Sequence, residues 1–148
     1  MKVIHILIVL ACLLSLVACS GTSYVGKWTG KMEAGADVKN NPMAEAMMKN
    51  MTVDLEVKSD KTFVFSMMSI PVEGTWTQAS DALTLTPTKV MGMDKSKMEE
   101  ETKKMGGGSG KVTETFRTMS LKVEGDKLIL SDPNGGKQGK IVFTREKS

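Results

Sequence analysis

Histidine and cysteine are almost missing from this 148-residue chain: His5, Cys12 and Cys19 are all there is, and each falls within the first nineteen residues. Beyond Cys19 there is no imidazole to act as general base or metal ligand and no thiol nucleophile. Triads of the Ser-His-Asp or Cys-His kind are excluded, and so is a disulfide within that stretch. An excess of one charge is lacking too. The 20 basic and 17 acidic residues leave a formal net charge of +3 with both signs scattered along the chain, which is no electrostatic footprint for nucleic acid. Carboxylates such as Asp54, Glu56, Glu73 and Asp81 fall on the polar phase of strands or in turns, where solvated surface charge is the expectation. These absences argue against an enzyme, and no cofactor is expected.

What is present begins with an export signal. Lys2 precedes an apolar run from Val3 to Ala18 that is broken only by His5 and Ser15 and ends in "LVACS". A positive start, a short apolar stretch and small residues before a cut describe a secretory signal peptide, and sixteen residues are marginal for a membrane-spanning helix. Leu16-Val17-Ala18-Cys19 resembles the bacterial lipobox. The resemblance implies that Cys19 becomes the lipid-bearing first residue of the mature protein. Val9-Leu10-Ala11-Cys12 competes but leaves a shorter apolar segment, so Cys19 is the expected site. Ser20, where aspartate would retain the protein at the inner membrane, resembles the sorting pattern of outer-membrane lipoproteins facing the periplasm. The expected organisation is a signal at residues 1–18, a lipidated tether at 19–23 and one domain at 24–148. Removing eighteen residues from 148 leaves 130, the size of one domain with a modest core.

Period two dominates that domain and argues for half-buried strands. Met51, Val53, Leu55 and Val57 alternate with polar residues, and after "KSDK" the pattern resumes at Phe63, Phe65 and Met67. "VEGTWTQ" and "ALTLTP" form a second pair, with Leu83 and Leu85 facing inward. "TMSLKVEGDKLILS" supplies a third, in which "LKVEGDKLILS" repeats the hairpin "LEVKSDKTFVFS". With "YVGKWTGKM" and "KIVFTRE" the count reaches eight. That number suits an all-β, antiparallel up-and-down barrel, which removes exposed sheet edges.

Gly26-Lys27-Trp28 resembles the G-x-W signature of lipocalin-like (calycin) barrels, and the run from "FVF" through "GTW" to "DALTLT" is similar to small bacterial lipocalin-like lipoproteins. The resemblance implies that Trp28 closes the barrel floor beneath Arg145 of the last strand. In such a meander the two meet at the same end, where a guanidinium can stack on the indole.

The same meander sorts the methionines, of which the chain has 13. Tight polar turns at Ser59 to Lys61, Gln78 to Asp81 and Glu124 to Lys127 belong to the floor, and the long connections belong to the opposite mouth. Every methionine after Met1 lies in a mouth connection or on a strand residue next to one. Asn41-Pro42 is a helix start, and Met43, Met47 and Met51 recur at spacing four with Met48 adjacent, the stripe of a short lid helix between the first two strands. A longer Met-rich insertion between the fifth and sixth strands carries a capping-box pattern at Ser96 and Glu99 before "GGGSG" ends any helix. Three readings compete for the mouth. Met43, Met47, Met48, Met51, Met67, Met91 and Met93 can form a greasy rim over a small apolar or amphipathic ligand. Met43, Met47, Met48, Met91 and Met93 can instead offer soft thioethers to Cu(I) or Ag(I). In the third reading the rim docks another envelope protein and the barrel is solid, plugged by Phe63, Phe65, Trp76 and Phe143.

Overall fold

The computed structural model describes residues 24–106, 109–131 and 139–146. The expected signal at residues 1–18 and the expected tether with Cys19 lie outside the described residues. The strands are β1 (Gly26–Ala34), β2 (Thr52–Val57), β3 (Thr62–Met67), β4 (Ile70–Ala79), β5 (Ala82–Val90), a two-residue β6 (Met93–Asp94), β7 (Met119–Glu124), β8 (Lys127–Ser131) and β9 (Gly139–Arg145). Helices α1 (Ala36–Lys39) and α2 (Pro42–Lys49) join β1 to β2, and α3 (Lys95–Lys104) and α4 (Ser109–Thr115) lie between β6 and β7. All strands but β6 form one closed antiparallel ring in the order β4-β3-β2-β1-β9-β8-β7-β5, with β5 returning to β4. This is the eight-stranded up-and-down barrel that the alternation predicts.

Alternation sets the inside. Val53, Leu55 and Val57 of β2, Phe63 and Phe65 of β3, Leu83 and Leu85 of β5, Leu121 of β7, Leu128 of β8 and Phe143 of β9 are buried together with Trp28 and Trp76 in one cluster. Each such side chain withdrawn from water contributes about 1.5–3 kcal/mol. The space is shared tightly: a methyl group at Gly30 would come within 2.7 Å of Phe143, so the missing side chain of β1 makes room for the ring. Phe65 meets Phe143 edge to face across the interior, their centroids 6.4 Å apart.

The ring is not equally tall all round. The β4–β5 pairing runs from Val72↔Val90 to Ala79↔Ala82, whereas β5 meets β7 only from Ala82↔Lys122 to Leu85↔Met119. Above Leu85 the strand β5 leaves β7 and pairs instead with β6, through Lys89↔Asp94 and Val90↔Met93. The barrel wall is notched at the mouth.

Two local expectations need correction in the insertion that follows this notch. The helix α3 is capped by Asp94, whose carboxylate accepts the Lys97 N–H at 2.9 Å, and Ser96 sits inside the first turn. Asp94 wins because it ends β6 in extended backbone, the conformation an N-cap needs. "GGGSG" ends one helix as expected, but its last two residues start another. Gly106 ends α3 with a left-handed φ of 75°, but Ser109 and Gly110 already belong to α4, where Val112 is buried. Tertiary burial of one valine outweighs the poor helix propensity of glycine.

Candidate functional site

Both tryptophans mark the floor, and each carries a cation. Trp28 lies opposite Arg145 in the β1–β9 register, and the guanidinium carbon stands 4.9 Å from the ring centroid. The indole N–H donates to the Tyr24 carbonyl at 3.0 Å, which ties the entering chain across the barrel end. Gly26 has φ 147°, a value costly to any residue with a side chain, and it lies beside the Arg145 side chain. The expected meeting of Gly26, Trp28 and Arg145 is therefore present. A second arrangement of the same kind was not foreseen: Trp76 donates its indole N–H to the Lys58 carbonyl at 2.8 Å, while Lys61 Nζ sits 3.8 Å over its ring. The second G-x-W, Gly74-Thr75-Trp76, was its only sequence signal, since the cation comes from the turn before β3. That turn is set by Asp60, which accepts the Thr62 hydroxyl at 2.6 Å and the Thr62 N–H at 3.0 Å. The hydroxyl first and the N–H second hold the Asp60 carboxyl below its ordinary value.

The mouth is built differently. Helix α2 forms where Asn41-Pro42 predicts, with the Asn41 side chain accepting the Ala44 N–H at 3.2 Å. Its orientation differs from the expected stripe. Met43 is 78% and Met47 63% exposed, whereas Ala44, Met48 and, beyond the helix, Met51 are half-buried. Spacing four fits either stripe, and packing of α2 against β1 selects the one that starts with alanine. Met67 and Met68 stand at the β3–β4 hairpin tip, and Met91 at the β5–β6 tip. Met68 has φ 50° and Met91 φ 52°, left-handed positions that methionine rarely takes and that asparagine or glycine would fill without cost. The two tips are tied together, since the Met91 N–H donates to the Pro71 carbonyl at 2.9 Å.

The rim residues therefore fall into two groups. Met67 and Met91, with Met93 half-buried beside them, belong to neighbouring hairpins. Met43, Met47 and Met48 belong to a helix on β1, which lies four strands from β5 around the eight-membered ring. Met43/Met47/Met48 and Met91/Met93 therefore stand as two separate thioether clusters on different parts of the ring.

A recess of about 340 Å³ opens at the mouth between α4, β7 and β8, lined by Glu114, Thr115, Arg117, Thr118, Met119, Ser120, Leu130 and Ser131. Met119 and Leu130 are half-buried and pack on the core cluster, so the recess reaches the top of the barrel filling. Arg117 flanks it, 3.6 Å from the Glu114 carboxylate. None of the rim methionines of α2 or the hairpin tips lines it. A second recess of about 320 Å³ lies at the floor side of β1, β2 and β3, bounded by charged residues such as Lys27, Asp54, Glu56 and Glu146. The sequence singled out Met119 only as a strand residue near the mouth and Leu130 only as the strand position in phase with Leu128; Arg117 had no signal, because a recess between a helix and two strands is not written in any local pattern.

No protein-family model matches the chain, and no curated protein matches it either. The closed eight-stranded antiparallel barrel is consistent with a lipocalin-like fold. It has a filled lower part, a floor sealed by two capped indoles and an open, methionine-rich upper end.

Proposed function

We propose that this protein is a lipid-anchored lipoprotein of the bacterial envelope, related in architecture to lipocalins, that binds a small apolar or amphipathic ligand at the mouth of its barrel rather than inside it. It is a binding protein and not an enzyme. The observation that carries the reading is the recess between α4, β7 and β8, where half-buried Met119 and Leu130 present apolar surface and Arg117 stands at the edge. Its volume lies at the small end of the range for ligand pockets, about 300–1,000 Å³. The interior beneath cannot take a ligand without displacing Phe63 or Phe143, so the binding surface is the top of the filling. Arg117 suits the anionic head of an amphiphile, with Glu114 as the carboxylate that such a head would replace.

Titration with an environment-sensitive naphthalene dye tests this. The parent should enhance the emission of the dye, and Met119→Gln should weaken binding several-fold, because about half of a thioether burial of 1.5–3 kcal/mol is forfeited. Met43→Ser with Met47→Ser should leave binding unchanged. No enhancement in the parent would discard the ligand reading.

The docking reading keeps one specific support: the filled core, with Phe63 and Phe143 almost fully buried, is what a purely structural barrel needs. Lipid anchoring has its own test. Cys19→Ala should release the protein from the membrane fraction, and a variant that stays membrane-bound with its signal removed would refute anchoring through Cys19.

A further inference from the structure

The oxidisable side chains of the described residues are sorted by depth. Tyr24, Trp28 and Trp76, whose rings are destroyed by strong oxidants, are each no more than 7% exposed, and both indoles are capped by cations. The methionines follow the opposite rule. None of those described is buried, although methionine is ordinarily among the more buried residue types, and Leu, Val and Phe do the filling instead. Met43, Met47, Met67, Met68, Met91 and Met105 are between 36% and 81% exposed, all of them at the mouth. Two of these, Met68 and Met91, occupy left-handed positions at the hairpin tips that methionine takes only at a cost. Histidine and cysteine do not occur among the described residues, so these thioethers are the accessible soft nucleophiles of the domain.

We propose that the mouth is an oxidant-accepting surface, a set of methionines that is converted reversibly to sulfoxides by hypohalous acid while the barrel is spared. The sulfur lone pair attacks the chlorine of HOCl and hydroxide leaves; water then adds to sulfur, and chloride and two protons depart. In the net change one thioether and one HOCl give one sulfoxide, one proton and one chloride, so that sulfur loses two electrons and chlorine gains them. Methionine sulfoxide reductases, one for each sulfoxide epimer, return the thioether by converting two thiols to a disulfide and water. Reversibility depends on where the new oxygen goes. On Met43, Met47, Met68, Met91 and Met105, each at least 60% exposed, the polar S=O has water to project into, and Met67, 36% exposed in the register position opposite Val53, is the one of the six nearest the core. On half-buried Met32 or Met119 it would enter the apolar cluster, so those two should react late. This reading does not depend on whether the recess beside Met119 binds a ligand.

The test is a stepwise titration of the full chain with hypochlorous acid in amine-free buffer, followed by intact mass and peptide mapping. The first oxygens should appear on the six exposed methionines, with the near-ultraviolet circular dichroism of the tryptophans and the melting temperature retained. Treatment with both reductases and dithiothreitol should restore the original mass. Oxidation of Trp28, Trp76, Met32 or Met119 at the same oxidant ratio, or loss of the fold with the first oxygens, overturns the proposal. A second measurement uses the variant with all six changed to leucine, which nearly conserves volume. Its tryptophan fluorescence should be lost at an oxidant ratio several-fold lower than in the parent. Equal protection in the two proteins would show that the exposed thioethers do not shield the barrel.

Discussion

The two ends of the barrel solve opposite problems with different side chains. At the floor the connections are tight turns, the large rings are buried, and each indole has a backbone acceptor and a cation above it. At the mouth the connections carry helices and hairpin tips, the inward residues Met32, Met119 and Leu130 are half-exposed, and flexible methionines occupy places where rigid side chains would define one surface. Left-handed backbone occurs at both ends, at Lys61 and Ser80 below and at Met68, Ser69 and Met91 above. The difference is therefore in what the turns display: polar residues at the floor, thioethers at the mouth. One end is closed by buried rings and the other carries exposed thioethers.

The largest effect should come from the sealed part. Phe143→Ala removes a fully buried ring at the meeting point of Gly30 and Phe65, and denaturant unfolding should show a loss of about 3–5 kcal/mol. Met43→Ala or Met47→Ala should change stability by no more than about 0.5 kcal/mol, as for ordinary surface positions. If the α2 substitutions cost as much as the core one, the two ends are not distinct.

The strain at the mouth gives an effect of opposite sign. Met68→Asn keeps the left-handed backbone with a residue that tolerates it, so the midpoint of urea unfolding should rise, by about 1 kcal/mol in free energy. An unchanged or lower midpoint would mean that the Met68 side chain contributes contacts that compensate for its backbone.

Smaller again is the cation over the second indole. Lys61→Met keeps the alkyl stem across Trp76 and removes only the charge, for an expected loss of about 0.5–1 kcal/mol, with a change in tryptophan emission. The smallest effect concerns the turn that holds Lys61. Because the Asp60 carboxyl is lowered in the folded state, its charge adds stability above the unfolded pKa, and that contribution is lost as pH falls through the folded value. Asp60→Asn should thus melt slightly below the parent at neutral pH, and the gap should close on acidification. A gap that persists in acid would trace to the side-chain amide rather than to charge.

Strand identity and facing were legible in the sequence because they depend on a local period. Val53, Leu55, Val57, Phe63, Phe65, Leu83, Leu85 and Leu128 could be assigned to the inside one segment at a time, since a slip of one residue would move each set to water. The closed ring followed from eight such segments, and the meeting of Trp28 with Arg145 followed from the ring. The methionine-rich end was legible for the same reason, as a consequence of which connections were long. Tertiary structure alone decided the rest. Whether α2 turns Met43 and Met47 or Ala44 and Met48 toward β1 depends on how closely a short helix can approach a strand, and a spacing of four allows both. The notch between β5 and β7, the recess beside Met119 and Leu130, and the cation that reaches Trp76 from the neighbouring turn all depend on contacts distant along the chain. No local period encodes such contacts, because their energy is realised only when the ring has closed and the remaining space is shared out.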